Sequence, residues 1–349
     1  MLVREIYERY WPPLIHGYPK DSIPKATLGM FQLANDKTTI GIEVEAENYS
    51  GFTLPNKVLS DIPYVWHEKP EPSLRNRGIE FVTGAISGVQ VGHALNLLDQ
   101  MNKNGNLVYT DLAGLHIHLN VRNFTIEQVV NLVMLYIVFE DSLYRVSGNR
   151  KNSIYCLPAR TCDSGLHRLV LNQDLIEACR RANKYMGFNY GVIKSYGSIE
   201  FRHSVGSSNV YYILKWINTL LRLHNATTAW DMEQLKTTIF NLNTNSEYVN
   251  FARSVFQSEV EWLNVPGLAK EMEDGVSVLK EWQISSHINN TKILDRAINT
   301  RRNKPRKELV APLALQNNPL QWNMLPQGGI LIMDDIINQE VAVPRMRIR

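Results

Sequence analysis

The stretch GIEVEAE at residues 41–47 decides how this chain is read. Strand side chains point alternately to opposite faces. A strand over 39–47 therefore puts Ile40, Ile42, Val44 and Ala46 on one face and Glu43, Glu45 and Glu47 on the other. Three more segments repeat this layout. Residues 78–83 set Ile79 and Phe81 against Glu80, and residues 114–121 set Leu115, Ile117 and Leu119 against His116, His118 and Asn120. Residues 196–202 set Ile199 and Phe201 against Glu200 and Arg202. A merely solvated sheet face mixes Lys, Thr, Ser and Gln with its acids. These four faces offer almost only Glu, His, Asn and Arg.

Between and after the strands, apolar residues recur at helical spacing. Residues 89–102 carry Val91, Leu95, Leu98 and Met101 on one stripe. Residues 125–146 open on Thr125 with Gln128 at the capping-box position and stop before Gly148. Residues 171–185, 209–224 and 231–240 are further helices by the same test. Strands and helices without strict βα alternation predict an α+β fold with an antiparallel sheet. At 349 residues the chain holds one large domain or two smaller ones. Its character changes after residue 240: a polar break at 241–245, a helix at 251–262, a basic run at 299–307 and a Pro-, Asn- and Gly-rich tail with a short apolar run at 330–333. The expectation is a catalytic domain over 1–240 and a C-terminal extension or small second domain over 241–349.

Several function classes fall away. The net charge of +3 is too small to imply a polyanion partner, and the basic run reads as a solvated linker, so nucleic acid is not indicated. Cys156, Cys162 and Cys179 form no paired framework and suit a reducing compartment. The N-terminus lacks a signal-peptide pattern. The most apolar stretch, 128–139, is far shorter than the roughly 20 residues of a membrane span and reads as a core helix. A cytoplasmic, membrane-free protein is expected.

If the four strands are neighbours, their carboxylates converge. Two like charges 4 Å apart repel by about 1 kcal/mol in water and about 4 kcal/mol at an effective dielectric of 20. Clustered glutamates must then take up protons or be offset by cations. Glu43, Glu45, Glu71, Glu80 and Glu200 would balance two divalent ions and Arg202. Oxygen-rich ligation with one imidazole favours Mg²⁺ or Mn²⁺ over structural zinc. The His116-x-His118 pair lacks the following glutamate of a cupin-like site, HExxH is absent, and neither a P-loop nor a dinucleotide-binding glycine pattern occurs.

At these residues the chain resembles the amidoligase family, a branch of the glutamine synthetase and glutamate–cysteine ligase superfamily. GIEVEAE (41–47), EPSLRNRGIEFVTG (71–84), GLHIHLN (114–120) and GSIEFR (197–202) occur in the family's order over about residues 38–220. The resemblance implies a glutamine synthetase-like catalytic domain: a curved antiparallel sheet forming a metal-lined funnel, with helices on its outer face. It implies ATP and two Mg²⁺ or Mn²⁺ ions. Glu45, Glu71 and Glu80 would hold the ion near the acceptor carboxylate, and Glu43, His116 and Glu200 the ion on the ATP phosphates. Arg202 would face the transferred phosphoryl group and form with Glu80 the catalytic pair. His118 and Asn120 would lie beside the nucleotide, while Arg75, Arg77, Arg160 and Lys194 are candidates to balance its charge. Glu71 departs from the family's pattern, which favours aspartate there. The implied reaction joins a small-molecule or peptide carboxylate to an amine through an acyl phosphate, in a protein that could form homo-oligomers. Rival readings are a guanidino-kinase-like phosphotransferase, a catalytically silent binding protein and a metal hydrolase.

Overall fold

A computed structural model of the chain describes residues 1–10, 33–48, 66–75, 78–104, 107–148, 150–162, 164–263 and 266–287. Its strands are β1 (Ile40–Asn48), β2 (Trp66–Pro70), β3 (Ile79–Thr83), β4 (Leu107–Val108), β5 (Gly114–Asn120), β6 (Phe188–Asn189) and β7 (Ser198–Val205). They form one open sheet in the order β2-β3-β1-β5-β7-β6, with β4 paired to β1, and each of these strand pairs is antiparallel. The fold is α+β, as the alternation predicts. All four strands read from the sequence are present and adjacent, with GIEVEAE at the centre.

The longer helices are α1 (Val3–Tyr10), α2 (Val89–Asn104), α3 (Ile126–Val146), α4 (Ser164–Asn172), α5 (Leu175–Arg181), α6 (Val210–Ala226), α7 (Met232–Phe240), α8 (Asn245–Phe256) and α9 (Leu268–His287). The apolar face of the sheet is covered. Ile40, Ile42, Val44, Leu115, Ile117, Leu119, Ile199 and Phe201 are all buried in one core with residues of α2, α3 and α6. Helix α3 is the central one. Thr125 and Gln128 close its capping box, and nearly every residue from Val129 to Tyr144 is buried. Its apolar run therefore serves the core. Among the described residues no helix is long and apolar enough to cross a membrane.

Two helices differ from the periodicity. The helix expected over 171–185 is broken: α4 ends at Asn172, Gln173 takes a left-handed φ of 54°, and the Asp174 side chain caps α5. A non-glycine residue at positive φ leaves no sequence signature, so the break is invisible to apolar spacing. The helix expected over 251–262 starts earlier, at Asn245, because Thr244 and Glu247 form a capping box, and it stops where Gln257 adopts φ 52°. Helices α8 and α9 join the same core through Phe251, Val255, Phe256, Met272, Val276 and Leu279, and the compact unit runs from Met1 to Pro305. The basic run at 299–307 and the apolar run at 330–333 lie outside the described residues.

Candidate metal centre

Register brings the polar residues together. Glu45 stands opposite Glu80 across β1 and β3, Glu43 opposite His116 across β1 and β5, and His118 opposite Glu200 across β5 and β7. Between Leu115 and Ile117 the β5–β7 ladder is irregular: one residue of β5, His116, faces two of β7, Arg202 and His203. Such a bulge re-aims side chains. Here Arg202 stays near Glu200 on the polar face, while His203 turns to Tyr136 on the helical side.

His116 is the hub. Its Nδ1 lies 3.2 Å from Glu43, 3.4 Å from Glu200 and 4.0 Å from Glu80, and its Nε2 lies 3.6 Å from Glu45. Two overlapping groups result, Glu43–His116–Glu200 and Glu45–Glu80–His116, each with ligand atoms within 4.8 Å of one another. The strand opens on glycine for a reason. A Cβ at Gly114 would meet Arg150 Nη1 at 2.3 Å, His116 Nε2 at 2.7 Å and Glu45 Oε2 at 2.9 Å. Without one, the Gly114 amide donates to Glu45 at 2.6 Å.

The charges behave as crowding demands. Burial and the neighbouring Glu43 carboxylate push Glu80 up to about 8, although Lys69 pulls the other way. Burial opposes ionisation of Glu43 too, but the His118 and His116 imidazoles more than offset it and hold Glu43 well below the usual carboxylate range. Against its own burial, His118 is raised by Glu43, 3.3 Å from its Nε2. The cluster thus crowds four carboxylates around one imidazole, and burial together with Glu43 works against ionising Glu80 as well. Oxygen-rich donors, a single central imidazole and crowded carboxylates fit one or two hard divalent cations. A neutral imidazole has one lone pair. His116 can therefore complete one ion's shell at a time, leaving Glu45 and Glu80, or Glu43 and Glu200, to be completed by other oxygens.

Not every expected residue joins. Glu71 is in neither group; its carboxylate accepts from Ser73 N at 2.9 Å within its own turn, and His116 takes the third place beside Glu45 and Glu80. Glu47 instead accepts from Thr110 Oγ1 at 3.0 Å and from the Arg75 amide at 3.3 Å. Asn120 is held by Thr39 Oγ1 at 2.7 Å, and His118 Nδ1 by Ser198 Oγ at 3.1 Å. Arg160 is placed elsewhere. It pairs with Asp141 at 2.6 Å and donates to the Ile137 carbonyl at 2.7 and 2.9 Å, so its guanidinium is spent on α3. Lys194 is exposed in the helical turn Ile193–Tyr196, and Arg77 lies outside the described residues.

Three residues at the centre were not read from the sequence. Lys69 on β2 pairs with Glu80 at 2.5 Å, Asn189 on β6 donates to Glu200 at 2.7 Å, and Arg150 is buried beside Gly114. Arg150 donates to the carbonyls of Leu112 at 3.0 Å, Ser204 at 3.2 Å and Arg202 at 3.4 Å, filling the irregular stretch of the β5–β7 ladder. Only strand register could have revealed Lys69 and Asn189; they stand directly opposite Glu80 and Glu200.

A family model described as "Putative amidoligase enzyme" matches residues 16–223, more than half of the chain. The chain belongs to the amidoligase family. The matched span contains both glutamate–histidine groups of this amidoligase, and family membership gives it a ligase-type function. A comparison with curated proteins finds no match.

Proposed function

We propose that this amidoligase joins a carboxylate to an amine at the expense of ATP, through an acyl phosphate. The observation that carries the reading is the pair of overlapping carboxylate–imidazole groups on one sheet face, within the span that matches the family. Glu43, His116 and Glu200 would hold one divalent ion, and Glu45 and Glu80 the other, with Mg²⁺ or Mn²⁺ the ions this donor set suits. When bound, such ions neutralise phosphate charge and act as Lewis acids.

The chain's own residues supply positioning and electrostatics. Arg202 is pinned by Glu200 and by the Tyr155 carbonyl at 3.3 Å, so its guanidinium is aimed before any substrate arrives. A substrate carboxylate oxygen attacks the γ-phosphorus of ATP and ADP leaves. The amine nitrogen then attacks the acyl carbon, phosphate leaves with the bond's electron pair, and a proton is lost from nitrogen. No side-chain nucleophile is needed. The buried Cys156 therefore has no place in the reaction; burial raises its thiol above the ordinary value.

A curved, funnel-like sheet of the glutamine synthetase kind belongs to the same proposal. Lys69 on β2 and Tyr196, just before β7, are four strand spacings apart in the sheet order, about 19 Å if the sheet were flat. Yet the Tyr196 hydroxyl contributes to raising Lys69, after burial, which opposes it, and the stronger Glu80 pairing. A curved sheet would bring the two side chains within reach of each other.

A phosphate-release screen of carboxylates against amines with Mg·ATP tests the reading. Release that needs both partners supports ligation. A stable phosphorylated product would instead make the protein a phosphotransferase, and turnover without nucleotide a hydrolase.

A further inference from the structure

Each metal-binding group has one glutamate already engaged by a basic side chain. Glu200 is held by Arg202 and Glu80 by Lys69. In both pairs the carboxylate is nearly inaccessible while the base is more open, and the contrast is largest for Lys69, whose side chain is 52% exposed against 5% for Glu80. The two bases are not equivalent. Arg202 has a second anchor in the Tyr155 carbonyl, whereas among the described residues the Lys69 ammonium has only Glu80 as an ion-pair partner. A compact charge on a flexible four-carbon stem can swing; an anchored guanidinium cannot. Lys69 also sits where a swing matters: directly across the β2–β3 ladder from Glu80, on the strand next to the one that carries this carboxylate.

We propose that Lys69 is a displaceable counter-cation: its ammonium occupies Glu80 in the metal-free protein, yields that carboxylate to the incoming divalent ion, and turns to the polyanionic group presented on the same face. The inference rests on the proposed metal and phosphate chemistry and adds a residue that serves both in turn. The physical ground is charge economy. A divalent ion at Glu80 repels an ammonium a few ångströms away, and the same ammonium is attracted by the phosphate oxygens that arrive with it. Lys69 is then a positioning residue for the anion and a competitor for the metal, so its removal has effects of opposite sign on the two ligands.

The test is calorimetric titration of the metal-free, full-length protein with MnCl₂ under nitrogen at pH 8.5, comparing wild type with Lys69→Met. The expected result is Mn²⁺ binding about threefold tighter in the variant, the scale of a half-exposed ion pair that no longer has to be broken. Affinity for the Mn²⁺ complex of inorganic tripolyphosphate, titrated in excess Mn²⁺, is expected to fall about fivefold, and Lys69→Arg to restore it. A merely structural lysine would weaken both or neither. Mn²⁺ affinity that is unchanged or weaker in Lys69→Met, or tripolyphosphate affinity that does not fall, overturns the role of Lys69 and leaves the metal centre standing. Wild-type protein that takes up no Mn²⁺ overturns both. Lys69→Gln provides the same comparison if the methionine variant does not fold.

Discussion

Strand β7 separates two buried clusters that share a vocabulary of Glu, His and Arg and use it in opposite ways. On the helical side, His203 Nε2 meets the Tyr136 hydroxyl at 2.8 Å, and that hydroxyl donates to Glu140 at 2.6 Å. Glu140 also accepts from the Ala159 amide at 2.5 Å and the Arg160 amide at 3.1 Å, with the Arg160 guanidinium 3.6 Å away. Its oxygens are saturated by donors. On the polar side, Glu43, Glu45, Glu80 and Glu200 crowd one imidazole and share its two nitrogens. A buried carboxylate ringed by amides and hydroxyls is a structural tie, and carboxylates that face one another await a cation. Residue type alone does not tell the two apart; donor saturation does.

The comparison can be broken in several ways. The largest expected effect is on the saturated side: Glu140→Ala removes the acceptor of two amides and a hydroxyl and leaves Arg160 without one of its charges, costing about 3–5 kcal/mol in denaturant unfolding. On the polar side, Glu43→Ala, Glu80→Ala and Glu200→Ala should each cut Mg·ATP turnover at least a hundredfold, while in the metal-free protein Glu80→Ala should leave the unfolding midpoint unchanged or higher, because Glu80 is the carboxylate that burial and Glu43 disfavour. Near-normal turnover in any of the three would remove the metal assignment.

Acid sharpens the contrast. Burial and, next, the nearby Arg150 push His203 down to about 3, so the folded protein keeps it neutral while the unfolded chain protonates it near 6.5. Its contribution is intact above 6.5 and is lost as pH falls from 6.5 towards 3, at about 1.4 kcal/mol per unit. Glu80, raised to about 8, has the opposite sign: its contribution is full below the ordinary carboxylate value and is lost as pH rises through 8. Melting temperature against pH should fall at both ends, with divalent metal flattening only the alkaline limb. The smallest effect lies far from both clusters: Thr125→Ala at the N-cap of α3 should cost about 1 kcal/mol and leave Mn²⁺ binding unchanged.

How much of this was legible follows from what each feature depends on. The α+β class, the four strands and α3 rest on local alternation and capping, which the residues from Ile40 to Glu47 and from Thr125 to Gln128 display openly. Glu43, Glu45, Glu80, His116 and Glu200 were legible because each alternates with buried apolar neighbours. Glu71 and Arg160 stand apart from the cluster, since both lie outside regular strands: Glu71 accepts from a backbone amide of its own turn, and Arg160 is held by Asp141 and by carbonyls of α3. Lys69, Asn189 and Arg150 were missed for the complementary reason. Their importance comes from cross-strand register and from an irregular ladder, neither of which exists until the sheet has formed.

The group Glu43–His116–Glu200 draws on β1, β5 and β7 and the group Glu45–Glu80–His116 on β1, β3 and β5, so no two strands complete either shell and all four are needed for both. No hairpin or isolated half of the sheet can assemble the pair. Ion uptake would thus act as a checkpoint late in folding, rewarding only chains whose four strands are in register and fastening the sheet crosswise where hydrogen bonds already run. Chelation should then loosen the strands as well as silence the chemistry, and susceptibility to proteolysis would report it.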